Sequence, residues 1–283
     1  GSRGLGDVYK RQHLEIEENE HYVICSLSNP PTHTLTSSGI LEINKFLDLI
    51  EEKNDLRVLA FTGKGKDVFI KHYEVGELAH TAEKNLEEPR TQDSPKELHS
   101  FHKMLLRLRD LNAIVVAGIN GNTAGGGCEF SLGCDLRVMS DGPYKIGLPE
   151  TSVGILPGGG GTQRLSRLIG SSRALDLILH ARLINPKEAH DLGIINKLLP
   201  KDNFLEELRF YCEDLANRAP IALNQVKKII HQGLDMSLEE SLMLEQKAFD
   251  VTMNSQDAAR AMRSLLNTEE NIEDASKFEW KGK

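Results

Sequence analysis

Two glutamates set beside glycine-rich turns carry the chemistry that this sequence suggests. Glu129 closes the stretch Gly121-Asn122-Thr123-Ala124-Gly125-Gly126-Gly127-Cys128-Glu129, and Glu150 closes Gly147-Leu148-Pro149-Glu150. A third stretch, Pro157-Gly158-Gly159-Gly160-Gly161-Thr162-Gln163-Arg164-Leu165, follows. Three glycines between an apolar run and a helix let main chain approach a ligand with no side chain in the way. The first amides of the helix have no partner within it, and they carry the positive end of its dipole. They can hold an anion or a developing oxyanion. Glu129 falls about one turn into that helix, within reach of whatever the amides hold, and two carboxylates at one site can serve as acid and base.

Each feature also has a plainer reading. Gly125–Gly127 serves equally as a tight strand-to-helix connection. Glu129 serves as a dipole-favoured carboxylate, worth only ~0.3–1 kcal/mol. Glu150 serves as a solvated loop acid. A dinucleotide fingerprint fails on spacing, because position 130 is Phe and Gly158–Gly161 meets Gln163 where glycine is required. Neither run continues into the Gly-Lys-Ser/Thr of a phosphate loop.

The elements that must position these residues read as an α/β core with a helical C-terminal part. His13–Glu17 and Tyr22–Leu27 are strand-like, with a turn at Glu18-Asn19-Glu20. Ile40, Ile43, Leu47 and Ile50 recur at helical spacing and predict a helix over 37–53. Arg57–Thr62 reads as a strand, residues 79–96 as a polar loop or short helical insertion. Leu98, Phe101, Leu105 and Leu108 line one helix face. Ala113–Ile119 is a continuous apolar run, the pattern of a strand covered on both faces. A helix is expected over Cys128–Gly133, then strands at Leu136–Met139 and Tyr144–Ile146 and helices near 162–169 and 171–180. From Asn185 onward the reading is helical throughout, with Asn185-Pro186-Lys187-Glu188 and Ser237-Leu238-Glu239-Glu240 as start signals and Asp202 and Ser255 as further caps. The alternation followed by helices alone gives a core over 13–200 and a helical domain over 201–283. Residues 1–12 fit no element and read as an artefactual tail, and Thr268–Lys283 is polar and loosely held.

Composition narrows the function. The 283 residues suffice to bury a substantial core. No apolar run approaches the ~18–20 residues of a membrane span. The formal charge of −8 disfavours nucleic acid as the main partner. Cys25, Cys128, Cys134 and Cys212 show no metal-ligand spacing and read as reduced thiols of an intracellular protein. The expectation is therefore cytoplasmic, or the mitochondrial matrix in a eukaryote, with no metal.

Together the three segments resemble the crotonase (enoyl-CoA hydratase/isomerase) superfamily. Asn120-Gly121-x-x-Ala124-Gly125-Gly126-Gly127-Cys128-Glu129 and Pro149-Glu150-x-x-x-Gly154-x-x-Pro157-Gly158-x-Gly160-Gly161-Thr162-Gln163-Arg164-Leu165 match it in order and spacing, and the resemblance runs from about Asn29 to Leu266. It implies repeated ββα turns wound into a right-handed spiral, with C-terminal helices that build a homotrimer or hexamer. It implies an acyl-CoA substrate and no further cofactor, since coenzyme A arrives with the substrate. The two glutamates match the acid/base pair of the hydratases, and the amides of Tyr73 and Gly126 match the pair that binds the thioester oxygen. Thr34, Lys71, His72, Glu74, Val75, Gly125, Pro149 and Gly158 are carried over as substrate and coenzyme A contacts.

The chain departs from the family in four places. Tyr73 stands where small residues are usual, with His72 before it; packing with a satisfied hydrogen bond is the first reading for both, and a catalytic role in hydrolysis or C–C cleavage the second. His33 stands where Asn is common. Gly158 lacks the carboxylate that some isomerases use there. The acidic run Thr268–Asp274 replaces a basic tail. The leading expectation is a hydro-lyase hydrating a short or medium 2-enoyl-CoA. The alternatives are isomerisation, thioester hydrolysis, retro-Claisen cleavage, or a non-catalytic coenzyme A-binding scaffold.

Overall fold

The computed structural model describes residues 13–91, 93, 97–267 and 278–283. The expectations for residues 1–12 and for the acidic run 268–274 lie outside the described residues. The strands are β1 (Leu14–Glu18), β2 (Tyr22–Leu27), β3 (Val58–Gly63), β4 (Ile114–Ile119), β5 (Thr123–Ala124), β6 (Leu136–Asp141), β7 (Ile146–Gly147), β8 (Leu183–Ile184) and β9 (Lys197–Pro200). The helices are α1 (Ser37–Glu51), α2 (Val75–Glu87), α3 (Ser100–Asp110), α4 (Gly126–Leu132), α5 (Gly161–Ile169), α6 (Ser171–Leu179), α7 (Pro186–Asp191), α8 (Phe204–Ala216), α9 (Pro220–Gly233), α10 (Leu238–Met253) and α11 (Gln256–Asn267). Among the described residues, no helix is long and apolar enough to cross a membrane.

The main sheet has the order β1-β2-β3-β4-β6-β9. β1 and β2 form an antiparallel hairpin, and the other strands add in parallel. β5, β7 and β8 form a second, small sheet. Isolated parallel bridges Leu35–Tyr73 and Val68–Asn122 continue this second layer. Each pass of the chain therefore contributes a long strand to one layer and a short one to the other, the ββα turn of the crotonase fold.

Period-two burial explains why both faces of the main sheet are covered. Leu59 and Phe61 of β3 and Val115, Ala117 and Ile119 of β4 enter the larger core with Phe46, Leu105 and Phe130. Val58, Ala60, Ile114 and Val116 face the other way, onto Phe204, Leu208 and Cys212 of α8. Gly118 in β4 admits α8 closely, since a Cβ there would lie 2.6 Å from Leu208 Cδ2.

Four sequence expectations need correcting. The 79–96 segment begins as a full helix, α2, because Glu74 caps it by accepting from the Gly76 amide. α4 starts at Gly126 rather than Cys128. The chain after Asn185 is not all helical: β9 pairs with β6 at the sheet edge. Asp202 does not cap α8, whose N-cap position is held by Asn203 without a side-chain bond. The other start signals hold: Asn185 accepts from the Glu188 amide, Ser237 and Glu240 form a reciprocal capping box, and Ser255 Oγ accepts from the Ala258 amide.

Candidate active site

The site begins where the second layer meets α4. The amide of Ala124 donates to the Lys71 carbonyl and that of Gly125 to the Gly147 carbonyl, so both are spent on neighbouring strands. Gly126, the first residue of α4, follows directly, and a first-turn amide has no partner within its helix. Gly125 makes this turn at φ 50°, a conformation that side chains rarely adopt. The Tyr73 loop runs alongside. Leu35 donates to the His72 carbonyl, and its own carbonyl accepts from Glu74. A parallel bridge that uses both neighbours in this way turns the Tyr73 amide to the opposite side. That side faces Gly126: a Cβ added there would lie 3.1 Å from Tyr73 N. Two main-chain donors thus come together at one place.

Glu129 is nearly inaccessible, at 4% exposure. Its Oε1 accepts from the amides of Gly159 and Gly161 at 2.8 and 2.9 Å. Glycine at 159 is a steric requirement, since a Cβ would meet Glu129 Oε2 at 2.5 Å. Burial raises the carboxyl above its ordinary value, and the two amide bonds oppose the rise. Glu150 opens a 3₁₀ turn, Glu150–Val153. Its Oε2 is buried without a hydrogen-bond partner, and its Oε1 lies 2.8 Å from where a Gly125 Cβ would be. Burial, helped by the charge of Glu129, pushes Glu150 up to about 7. Both side chains border one cavity of about 700 Å³, a size typical of small-molecule sites.

Of the residues singled out in the sequence, Glu129, Glu150, Tyr73, Gly126, His72, Val75, Gly125, Pro149 and Gly158 border this cavity. Thr34, Lys71 and Glu74 do not. Thr34 is buried and donates to Glu74 Oε2 at 2.7 Å, and that bond holds the Glu74 carboxyl below its ordinary range. Lys71 is exposed, and its main chain ties the Tyr73 loop to β5 and to His33. These three build the loop rather than line the cavity. His72 Nδ1 lies 2.7 Å from the Tyr73 carbonyl, and a carbonyl only accepts, so Nδ1 carries the proton. The Tyr73 hydroxyl bonds Glu77. Both side chains therefore have satisfied hydrogen bonds. The His33 ring lies over Gly65, where a Cβ would come within 2.7 Å of it. A Cβ at Gly158 would meet only the Leu156 carbonyl oxygen, at 4.0 Å, so its lack of a carboxylate is not a steric necessity.

The sequence reading missed Glu77, His99, Phe101, Ile155 and Leu156, which also border the cavity. His99 caps α3 through Nδ1 and lies 3.1 Å from the Gly158 carbonyl through Nε2. A cap reading of Glu74 with Glu77 in the first turn would have started α2 at the loop and brought Glu77 to the site. His99 and Ile155 reach it only by tertiary folding.

Known proteins share this sequence pattern and architecture. The family profile described as enoyl-CoA hydratase/isomerase matches residues 17–279. A short-chain-enoyl-CoA hydratase of Clostridium acetobutylicum is 29% identical over 252 residues, 89% of this chain and 93% of that protein. A crotonyl-CoA hydratase of Syntrophomonas wolfei is 26% identical over 257 residues, 90% of this chain and 95% of that one. The crystal structure of an enoyl-CoA hydratase from Bacillus anthracis superposes with a TM-score of 0.82 at 27% identity, covering 96% of this chain and all of that one. With the profile spanning nearly the whole sequence and the same fold seen in a solved hydratase, the chain belongs to the enoyl-CoA hydratase/isomerase family.

Proposed function

We propose that the protein hydrates a 2-enoyl-CoA thioester, with Glu129 and Glu150 as the acid/base pair and the amides of Tyr73 and Gly126 as the oxyanion hole. The observation that carries this reading is the difference between two neighbouring carboxyls. Glu129 is fixed by two amides that favour its ionised form. Glu150 is buried with an unpartnered oxygen and is pushed up to about 7, which favours its protonated form near neutrality. Burial raises both carboxyls, but two amide bonds oppose the rise at Glu129 while Glu150 Oε2 has no partner, and neighbours whose surroundings separate them in this way supply a base and an acid at one pH.

Water held between the carboxyls loses a proton to Glu129 as its oxygen bonds to C3. The C2–C3 π electrons move toward the carbonyl, and enolate charge gathers on the thioester oxygen, where the two amides meet it. Glu150 then delivers its proton to C2, giving the 3-hydroxyacyl-CoA. Loss of one oxyanion donor costs about 3–4 kcal/mol in reactions of this type. Coenzyme A enters as part of the substrate, and this chemistry calls for no other cofactor or metal. The names of the Clostridium and Syntrophomonas relatives favour a short acyl chain.

Loss of the conjugated-thioester absorbance of crotonyl-CoA tests the reading. Hydration that is abolished by Glu129→Gln supports it. Turnover of only a 3-enoyl-CoA, a saturated acyl-CoA or a β-keto-CoA would replace it by isomerisation, thioester hydrolysis or C–C cleavage. Binding of coenzyme A without any turnover would leave a scaffold. The tied Tyr73 hydroxyl favours none of these alternatives.

The reading extends to a homotrimer or hexamer in a reducing compartment such as the cytoplasm. Ile230 and Leu234 at the end of α9 and Leu242, Met243 and Phe249 on α10 are exposed, which supports an apolar face that another copy covers. All four cysteines are free and buried.

A further inference from the structure

The hydrogen bonds around the Tyr73 phenol take no part in the reaction described above. The hydroxyl donates to Glu77 Oε2 at 2.7 Å. The same oxygen accepts from Ser37 Oγ at 2.7 Å and from the Ser37 amide at 3.1 Å. Each hydroxyl has one proton and spends it on Glu77, so the 2.9 Å approach of the two hydroxyl oxygens is one that the shared carboxylate holds together. Ser37 is the first residue of α1 and Glu77 the third of α2. One carboxylate thus closes the N-terminus of α1 from the first turn of α2, where the dipole favours a negative charge. The phenol hooks the strand segment ahead of α2 onto that joint.

The Tyr73 ring packs against the edge of the larger core, but α2 itself has little packing to hold it. No side chain of α2 is buried, and Leu78 and Leu86 are exposed. The tertiary hydrogen bonds at the start of α2 run through Thr34–Glu74 and through Ser37, Glu77 and Tyr73. The Tyr73 amide is therefore held from the Leu35 side by main-chain pairing and from the α2 side by its own side chain.

We propose that Tyr73 is a positioning residue, whose phenol, clamped by Glu77 and Ser37, fixes where its own amide meets the thioester oxygen. This rests on the oxyanion reading above. A donor in such a hole acts through its distance and direction to the charge that develops, so a loop free to shift loses transition-state binding more than substrate binding. A small residue at 73 would keep the amide and lose the hook.

The test uses the full-length protein and cinnamoyl-CoA, whose conjugated-thioester band moves to longer wavelength when its carbonyl is polarised. Bound to the unaltered protein, the band should move to the red. In Tyr73→Phe, which keeps the amide and the ring, that movement should shrink, and kcat for crotonyl-CoA should fall about 10–100-fold with KM nearly constant. Ser37→Ala removes one donor to Glu77 at an exposed position, and it should move both readouts in the same direction. Glu77→Gln leaves an acceptor for the phenol and should retain more of both than Tyr73→Phe. Wild-type band position and kcat in both Tyr73→Phe and Ser37→Ala would overturn the proposal while leaving the oxyanion hole intact. No red movement in the unaltered protein would overturn the oxyanion reading and the proposal with it.

Discussion

Glu129 and Glu150 differ in what surrounds their oxygens, and that difference sets the pH dependence. In the proposed mechanism Glu150 must hold its proton to deliver it to C2. With Glu150 pushed up to about 7, the donor is lost as pH rises through that value. The expected profile of kcat/KM for crotonyl-CoA is therefore flat below about 7 until Glu129 begins to protonate, and falls about tenfold per pH unit on the alkaline side. A profile flat from pH 6 to 9 would contradict it. The same displacement affects stability. Below its ordinary value of 4.5 Glu150 is protonated whether the chain is folded or not. Above that the folded state resists ionisation, so stability from this group is lost as pH rises through about 7. Glu150→Gln should therefore be more stable than the unaltered protein at pH 8, by about 1–2 kcal/mol once solvent screening is allowed for, and the gain should vanish by about pH 4, below the ordinary value of 4.5. Thermal unfolding across that range checks the sign. At this scale the two carboxyls and the glycines were legible, because chemistry tied to main-chain approach leaves Gly-rich runs beside its acids. The roles of Thr34 and Glu74 were not, since both are polar side chains that satisfy each other, a match visible only once residues forty positions apart are brought together.

The elements hold their places through a few buried polar joints. Lys227 of α9 is 7% exposed and donates to the carbonyls of Leu108 and Ala113 and to Asp135. Asp135 in turn accepts from the Val115 amide and meets His231 Nε2 at 2.7 Å. This cluster ties α9 to the end of α3, the start of β4 and the turn before β6. Lys227→Met removes all three donated bonds and strands two carbonyls, and should cost about 3–5 kcal/mol in denaturant-induced unfolding. A loss below 1 kcal/mol would mean the joint is peripheral. Long periodic segments such as α1 and β4 were readable from Ile40–Ile50 and Ala113–Ile119, because their burial is set by one face or by two. β9 was not: Lys197–Pro200 is four residues long with a single buried side chain, Leu199, and only its pairing with β6 makes it a strand. α2 was obscured for the opposite reason, since a helix without a buried face has no apolar stripe to recognise.

The whole molecule is a two-layer spiral with its apolar surplus at the C-terminal helices. If those faces are covered by other copies, light scattering at micromolar concentration should give a mass near three or six times 31.5 kDa, and a monomeric mass would contradict the assembly without touching the chemistry. The family and the α/β class were legible from one long compound motif, because its spacing reflects loops that every turn of the spiral must present to one cavity. The composition of that cavity was not, since His99 and Phe101 at the start of α3 and Ile155 after the Glu150 turn arrive there from distant parts of the chain. The proton donor remains the centre of the account, and a single kinetic comparison addresses it. Steady-state hydration of crotonyl-CoA by Glu150→Gln, with coenzyme A affinity measured alongside, should show kcat reduced by at least about 1,000-fold and binding unchanged; turnover within tenfold of the unaltered protein would contradict it.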